Sequence, residues 1–215
     1  MPQTSPDDQA TPLAELAEGR TRSTPLTDEE IRQATVGEPT PVNGQITLVE
    51  YDPAWPDQFA GEAARMRGAL GGRDLRIEHI GSTSVPGLAA KPIIDIRLVV
   101  ADSGDESSYV PALEAAGYVL RIREPEWHEH RMFKGPDINI NLHVYTEGSA
   151  EIKRLLLLRN RLRANDAERD LYEQTKRRLA RRRWTYVQNY ADAKSEVIEA
   201  IIARARASAA HEGTE

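Results

Sequence analysis

Apolar residues recur at two periods along this chain, and the change from one to the other divides it. Trp55, Phe59, Ala63, Met66 and Leu70 fall three to four residues apart, the spacing of one helical face, and Gly71-Gly72 closes the run. This predicts a core-facing helix over 55–70. Ile94, Ile96, Leu98 and Val100 form an alternating series, as do Ile138, Ile140, Leu142 and Val144, so strands are expected at 93–100 and 138–145. Shorter strand patterns occupy 46–49, 75–80, 118–123 and 131–134, and 111–117 reads as the end of a helix. After Gly148 the period is helical, first through Leu155, Leu156 and Leu162, later through Tyr190, Val197, Ile198, Ile201 and Ile202. Strands lead and helices close one α/β (α+β) domain over 43–206. Its sheet falls in 43–147, its helices in 150–206, and a flexible end is expected at 207–215.

Residues 1–42 have another character. They hold six of the 13 prolines, eight acidic against three basic residues and no aromatic side chain, too little apolar surface for a core. They predict a tail, with one short helix near 28–35 because Thr27 and Glu30 have the spacing of a capping box. A length of 215 residues suits one core with such an appendage. The formal net charge of −6 conceals a dipole, since residues 153–183 hold twelve bases and four acids. No run of about 18 apolar residues occurs. The first residues, with Asp7 and Asp8, lack both a basic and an apolar segment, so a cytoplasmic protein without a membrane span is expected. The chain has no cysteine, which excludes disulfides, thiolate nucleophiles and cysteine-based metal centres.

The chemistry-bearing stretch runs from Glu78 to Arg97. Its strand ends in Gly81-Ser82, where a missing side chain lets the backbone approach an anion, and Ser82, Thr83 and Ser84 offer hydroxyl donors. The same residues also make ordinary turns. Lys91 adds a point charge. The next strand carries Asp95 and Arg97 on the face opposite Ile94 and Ile96, and a carboxylate on a sheet face must be paired, hydrogen-bonded or bound to a cation. Three roles stand open for Asp95: an ion pair with Arg97, a magnesium ligand, or a general base. His143, with Asn139 and Asn141 on the polar face of its strand, joins the site if the two strands share a sheet.

These residues carry a resemblance. The segment from His79 to Asp95, the turn Tyr51-Asp52-Pro53-Ala54-Trp55, the strand Asn141-Leu142-His143-Val144 and the helical positions Arg159, Leu162, Arg163, Lys176, Leu179, Tyr190 and Lys194 resemble the GrpB family, over about residues 27–202. That family is similar in turn to the extra C-terminal domain of some dephospho-CoA kinases. The resemblance implies the nucleotidyltransferase fold, a small mixed sheet packed with helices, whose signature is Gly-Ser followed by a strand bearing Asp-x-Asp. Twelve residues lie between Ser82 and Asp95, which suits that signature, and Asp95 matches its first carboxylate. Arg97 stands where the second belongs, and Asn141 or His143 where the third is expected. A guanidinium there repels the second of the two cations that two-metal phosphoryl transfer requires.

The implied site places phosphates on Gly81, Ser82 and Thr83, with Lys91, Arg97 or Arg131 as cationic clamps. Asp95 and His143 are its catalytic candidates, and Asp95 holds at most one Mg2+ with help from His143. Asn141 completes the polar floor, while Lys176, Tyr190 and Lys194 either close the pocket from the helices or face solvent. Three functions then compete. The first is transfer of a nucleotidyl group from a nucleoside triphosphate to a small molecule or protein. The second is binding of a nucleotide or CoA-pathway ligand without turnover, which Arg97 favours. The third is nucleic-acid binding through Lys176-Arg177-Arg178 and Arg181-Arg182-Arg183, disfavoured because only Trp184 and Tyr186 accompany the charges.

Overall fold

Five alternating segments become five strands: β1 (Arg76–Ile80), β2 (Ile94–Val100), β3 (Val119–Glu124), β4 (His130–Lys134) and β5 (Ile140–Thr146). In the computed structural model, which describes residues 25–72 and 74–212, they form one mixed sheet in the order β1-β2-β5-β4-β3. β2 and β5 run parallel at its centre, and every other pair is antiparallel. Their register sets Asp95 beside Asn141 and Arg97 beside His143, so the two strands with candidate chemistry are neighbours.

One face of the sheet is covered by α2 (Trp55–Leu70) and α3 (Val110–Ala115). Ile94, Ile96 and Leu98 of β2 and Ile140, Leu142 and Val144 of β5 are buried there with Trp55, Met66, Leu113 and Phe133. Burying each large apolar side chain contributes about 1.5–3 kcal/mol. That fixes the phase of β2, because a slip of one residue would send this whole set to the other face. Asp95 and Arg97 are therefore turned away from the core. α2 starts where Asp52 accepts the Ala54 N–H at 2.9 Å and ends on Gly71, whose φ of +68° is the left-handed value a helix stop favours.

The opposite face receives α4 (Ala150–Ala164), α5 (Asp166–Ala180), α6 (Val187–Asp192) and α7 (Ser195–Glu212). Leu162, Tyr172 and Ile201 from these helices close over Val85 and Leu88 of the 81–93 loop. Arg163 donates to the Ser84 carbonyl at 2.6 and 2.9 Å, and Lys176 donates to that of Ala89, pinning the loop from above. α7 continues through Glu212, past the limit at 206 that its apolar stripe suggested. Ala207, Ala209 and Ala210 have high helix propensity and suit this extension.

The N-terminal lead docks on the body through its short helix. Residues 1–24 lie outside the described residues. Beyond them, α1 (Asp28–Ala34) begins with the expected capping box, the Glu30 N–H donating to Thr27 Oγ1 at 3.2 Å and the Thr27 N–H to Glu30 Oε2 at 2.7 Å. Ile31 is buried, and the Val36 N–H donates to the Arg121 carbonyl at 2.8 Å, which ties this lead to the edge strand β3. The strand expected at 46–49 does not join the sheet. Val49 exchanges two backbone hydrogen bonds with Ala90, and Ile46 packs on Leu179, Ala180 and Tyr190. An extended chain lying over helices buries alternate residues just as a strand does, which accounts for the pattern. Among the described residues no helix is long and apolar enough to cross a membrane.

Candidate functional site

Between the polar face of the sheet, the C-terminal helices and the N-terminal lead lies a cavity of about 890 Å³. Gly81 and Asp95 form its floor at the end of β1. Gly81 has φ +68°, and a Cβ at this position would come within 2.9 Å of the Asp95 Cβ and closer still to its carboxylate. Only glycine lets the turn pass here without displacing Asp95. Asn141 Nδ2 donates to Asp95 Oδ1 at 2.7 Å, and His143 Nε2 lies 3.8 Å from the same oxygen. Burial alone would raise the Asp95 carboxyl. His143, Lys91 and the Asn141 amide outweigh it and hold the group below the ordinary carboxylate range.

Behind Asp95 a chain of polar contacts crosses the sheet. His143 Nδ1 lies 2.9 Å from His130 Nε2, and His130 Nδ1 lies 2.7 Å from Glu124 Oε2. The two rings stack at 5.1 Å. Glu124 only accepts, so His130 Nδ1 presents its N–H to it, and His130 Nε2 shares one hydrogen bond with His143 Nδ1. On the other side Lys134 Nζ donates to Asn141 Oδ1 at 2.6 Å, which fixes the amide with its NH2 toward Asp95.

The wall facing Asp95 is cationic. Lys176 is only 2% exposed, and burial first, then Lys194, brings its ammonium down to about 7. Lys91 is lowered to about 8 by the same two causes, and Lys194 is also lowered by burial. Lys194 and Lys91 lie 4.9 and 5.8 Å from the centre of the Tyr190 ring, and Lys176 lies 5.0 Å from that of Tyr172. Among the described residues none of the three has a carboxylate within ion-pairing distance. Tyr190 is 1% exposed, and its hydroxyl has no hydrogen-bond partner among those residues.

A model of the GrpB family, described as GrpB protein, matches residues 45–204. The chain belongs to the GrpB family. It is 60% identical over 186 residues to a UPF0157 protein of Halalkalibacterium halodurans, covering 86% of this chain and 95% of that one. The crystal structure of the conserved protein GrpB from Enterococcus faecalis superposes with a TM-score of 0.64 at 33% identity, over 74% of this chain and 96% of that one. A shorter likeness, 42% over 74 residues, relates 33% of the chain to 18% of a Mycobacterium tuberculosis dephospho-CoA kinase.

Within this GrpB chain Asp95, His143, Gly81, Ser82, Lys91, Asn141, Lys176, Tyr190 and Lys194 all line the one cavity. Three expected site residues have other roles. The Thr83 hydroxyl, at the cavity edge, donates to the Ile93 carbonyl at 3.2 Å, so it accepts from His79 Nε2 at 3.1 Å. Arg97 is 3% exposed beneath α4, faces Glu78 at 3.6 Å rather than Asp95, and leaves its Nε without a partner among the described residues. Arg131 shares the core face of β4 with Phe133 and is held by Glu106 at 2.6 Å, away from the cavity. The residues that sequence reasoning missed are Glu124, His130 and Lys134. For the last two the signal was Phe133: with it in the core, His130, Met132 and Lys134 must lie on the face of Asn141 and His143. Of the basic run, Lys176 turns inward, while Arg177 pairs with Glu50 and Glu173 at 2.6 and 2.8 Å.

The donor set does not suit a pair of divalent cations. Among the described residues no three carboxylate or imidazole groups converge. Asn141 presents its NH2 rather than its oxygen to the site, and four ammonium groups, of Lys91, Lys134, Lys176 and Lys194, line the same cavity.

Proposed function

We propose that the cavity takes the phosphate end of a nucleotide or another phosphorylated small molecule, and that the protein transfers a nucleotidyl group from it. The observation that carries this reading is the cluster of Lys91, Lys176 and Lys194 lining one cavity with Asp95: Lys176 is buried, the other two are half-buried, and none has a carboxylate in ion-pairing distance among the described residues. Like charges held together in a partly dry cavity repel, and an anion with several acceptor oxygens relieves them. In the transfer the acceptor oxygen attacks the α-phosphorus and the bond to pyrophosphate breaks. The acceptor proton passes to Asp95 or His143, and the Glu124–His130 pair behind His143 gives that proton a path onward. Binding measured against nucleoside triphosphates, dephospho-CoA, CoA and pyrophosphate, together with pyrophosphate release in the presence of an acceptor library, tests the proposal. Saturable binding of at least one phosphate compound is expected, and lack of binding by all of them sinks the reading.

A second reading, binding without transfer, is favoured by Arg97, which stands where the fold's second carboxylate would be and is buried against Glu78. The two readings separate at Asp95→Asn. In the transferase, pyrophosphate release falls by two or more orders of magnitude; in the binder, the wild type releases none.

A further inference from the structure

Resting on the reading that the ligand carries phosphate, we infer that this site holds a di- or triphosphate end without a divalent cation, the ammonium groups of Lys91, Lys176 and Lys194 and the Tyr190 hydroxyl standing in its place.

The argument begins at Asn141. A metal bridging phosphate to this floor needs oxygen ligands beside Asp95, and the nearest amide cannot supply one. Lys134 Nζ holds Asn141 Oδ1 at 2.6 Å and turns the NH2 onto Asp95 Oδ1 at 2.7 Å. Flipping the amide would set its NH2 against the Lys134 ammonium and its oxygen against the Asp95 carboxylate, losing both hydrogen bonds. His143 Nδ1 is engaged with His130, so among the described residues Asp95 and a single imidazole nitrogen are all that converge. Positive charge is already present instead. Lys91 and Lys194 are near enough to Asp95 to be influenced by its charge, and Lys194 is near enough to depress both Lys91 and Lys176. A dication entering this wall would meet that repulsion, and a polyphosphate would cancel it.

The remaining charged groups around the cavity are engaged. Glu151 pairs with Arg154 at 2.9 Å, and Asp192 accepts from the Leu26 N–H at 2.9 Å and from Gln188 at 2.7 Å. Glu124 accepts from His130. Tyr190 is the second, independent sign of a ligand. Its buried hydroxyl lacks a partner among the described residues and lies on the helix just before Lys194, where a phosphate oxygen held by the lysines would complete it.

The test is calorimetric titration of the full chain with pyrophosphate, tripolyphosphate and ATP, once in excess EDTA and once in Mg2+. Affinity in EDTA is expected to equal or exceed that in Mg2+ within about threefold. Lys194→Met is expected to weaken binding in EDTA about tenfold or more while raising the thermal midpoint of the free protein, because it relieves repulsion among the lysines. A variant that merely misfolds would lower both, and Tyr190→Phe then serves in its stead, with weaker binding and an unchanged or higher midpoint. Binding that appears only with Mg2+ overturns the inference and leaves the phosphate reading standing. So does Lys194→Met or Tyr190→Phe binding in EDTA as the wild type does. If no phosphate compound binds under either condition, the reading fails and the inference with it.

Discussion

Gly81 and Asp95 are fitted against each other so closely that a single methyl group on the first would strike the carboxylate of the second. The left-handed φ of +68° at Gly81 adds a conformational reason for glycine to the steric one. Gly81→Ala is expected to destabilise the protein by about 1–3 kcal/mol through backbone strain and the displaced carboxylate. Urea denaturation checks the stability. The same variant should lose the Asn141–Asp95 hydrogen bond, and a structure of it that keeps that bond at its present length would refute the account.

The lowered lysines predict the pH dependence of ligand binding. Lys176 and Lys91 titrate near 7 and 8 in the free protein, and a polyanion beside them favours their charged forms. Binding between about pH 7 and 9 therefore takes up protons, and affinity falls as pH rises through that range, by up to about tenfold per unit for each group involved. Calorimetry in two buffers of different ionisation enthalpy reads the uptake directly. Proton release on binding would contradict the prediction.

His79 predicts a loss of stability in acid. The ring is buried against Phe59, with centroids 5.0 Å apart, and donates to Thr83, and burial brings its pKa from 6.5 down to about 4. The unfolded chain thus binds a proton near pH 6.5 that the folded chain resists until about pH 4. Stability from this group is complete above 6.5 and is lost as pH falls to 4, an effect of about 2–4 kcal/mol. A His79→Gln variant should show a shallower decline of unfolding free energy across that window. Equal slopes would remove His79 as the cause.

The path Glu124–His130–His143 predicts coupling at a distance. Glu124 only accepts from His130 Nδ1, whereas a glutamine in its place can donate, so Glu124→Gln frees His130 to change tautomer. Because His130 Nε2 and His143 Nδ1 share a hydrogen bond, the nitrogen resonances of both rings should move. Long-range proton–nitrogen spectra measure this, and a shift confined to His130 would mean that the two imidazoles act separately.

What the chain discloses by itself follows from how local each signal is. The stripe from Trp55 to Leu70 and the alternations of β2 and β5 needed no partner to be read, because helix and strand periods are intrinsic to the backbone. Asp95 and His143 could be named for the same reason. Arg131 was offered as a cationic clamp on its charge, with no phase given to β4, and Phe133 is the residue that decides that phase. Arg97 looked like a partner for Asp95, its neighbour two positions along one face, until β1 brought Glu78 alongside it. That Lys176 on α5 and Lys194 in the turn between α6 and α7, 18 positions apart, would line one cavity depends on how α5, α6 and α7 fold back. Only the tertiary structure supplies that.

The lead that crosses the cavity has a consequence for the family. Ile31, Thr35, Pro39, Thr40 and Val42 line the cavity, yet all precede residue 45, where the family match begins. The floor and the lysines lie within the matched residues 45–204, and part of the roof lies on the N-terminal side of that match. Grafting the corresponding extension of a relative onto residues 45–212 is therefore a way to alter what the cavity selects while leaving every charged group of its floor untouched.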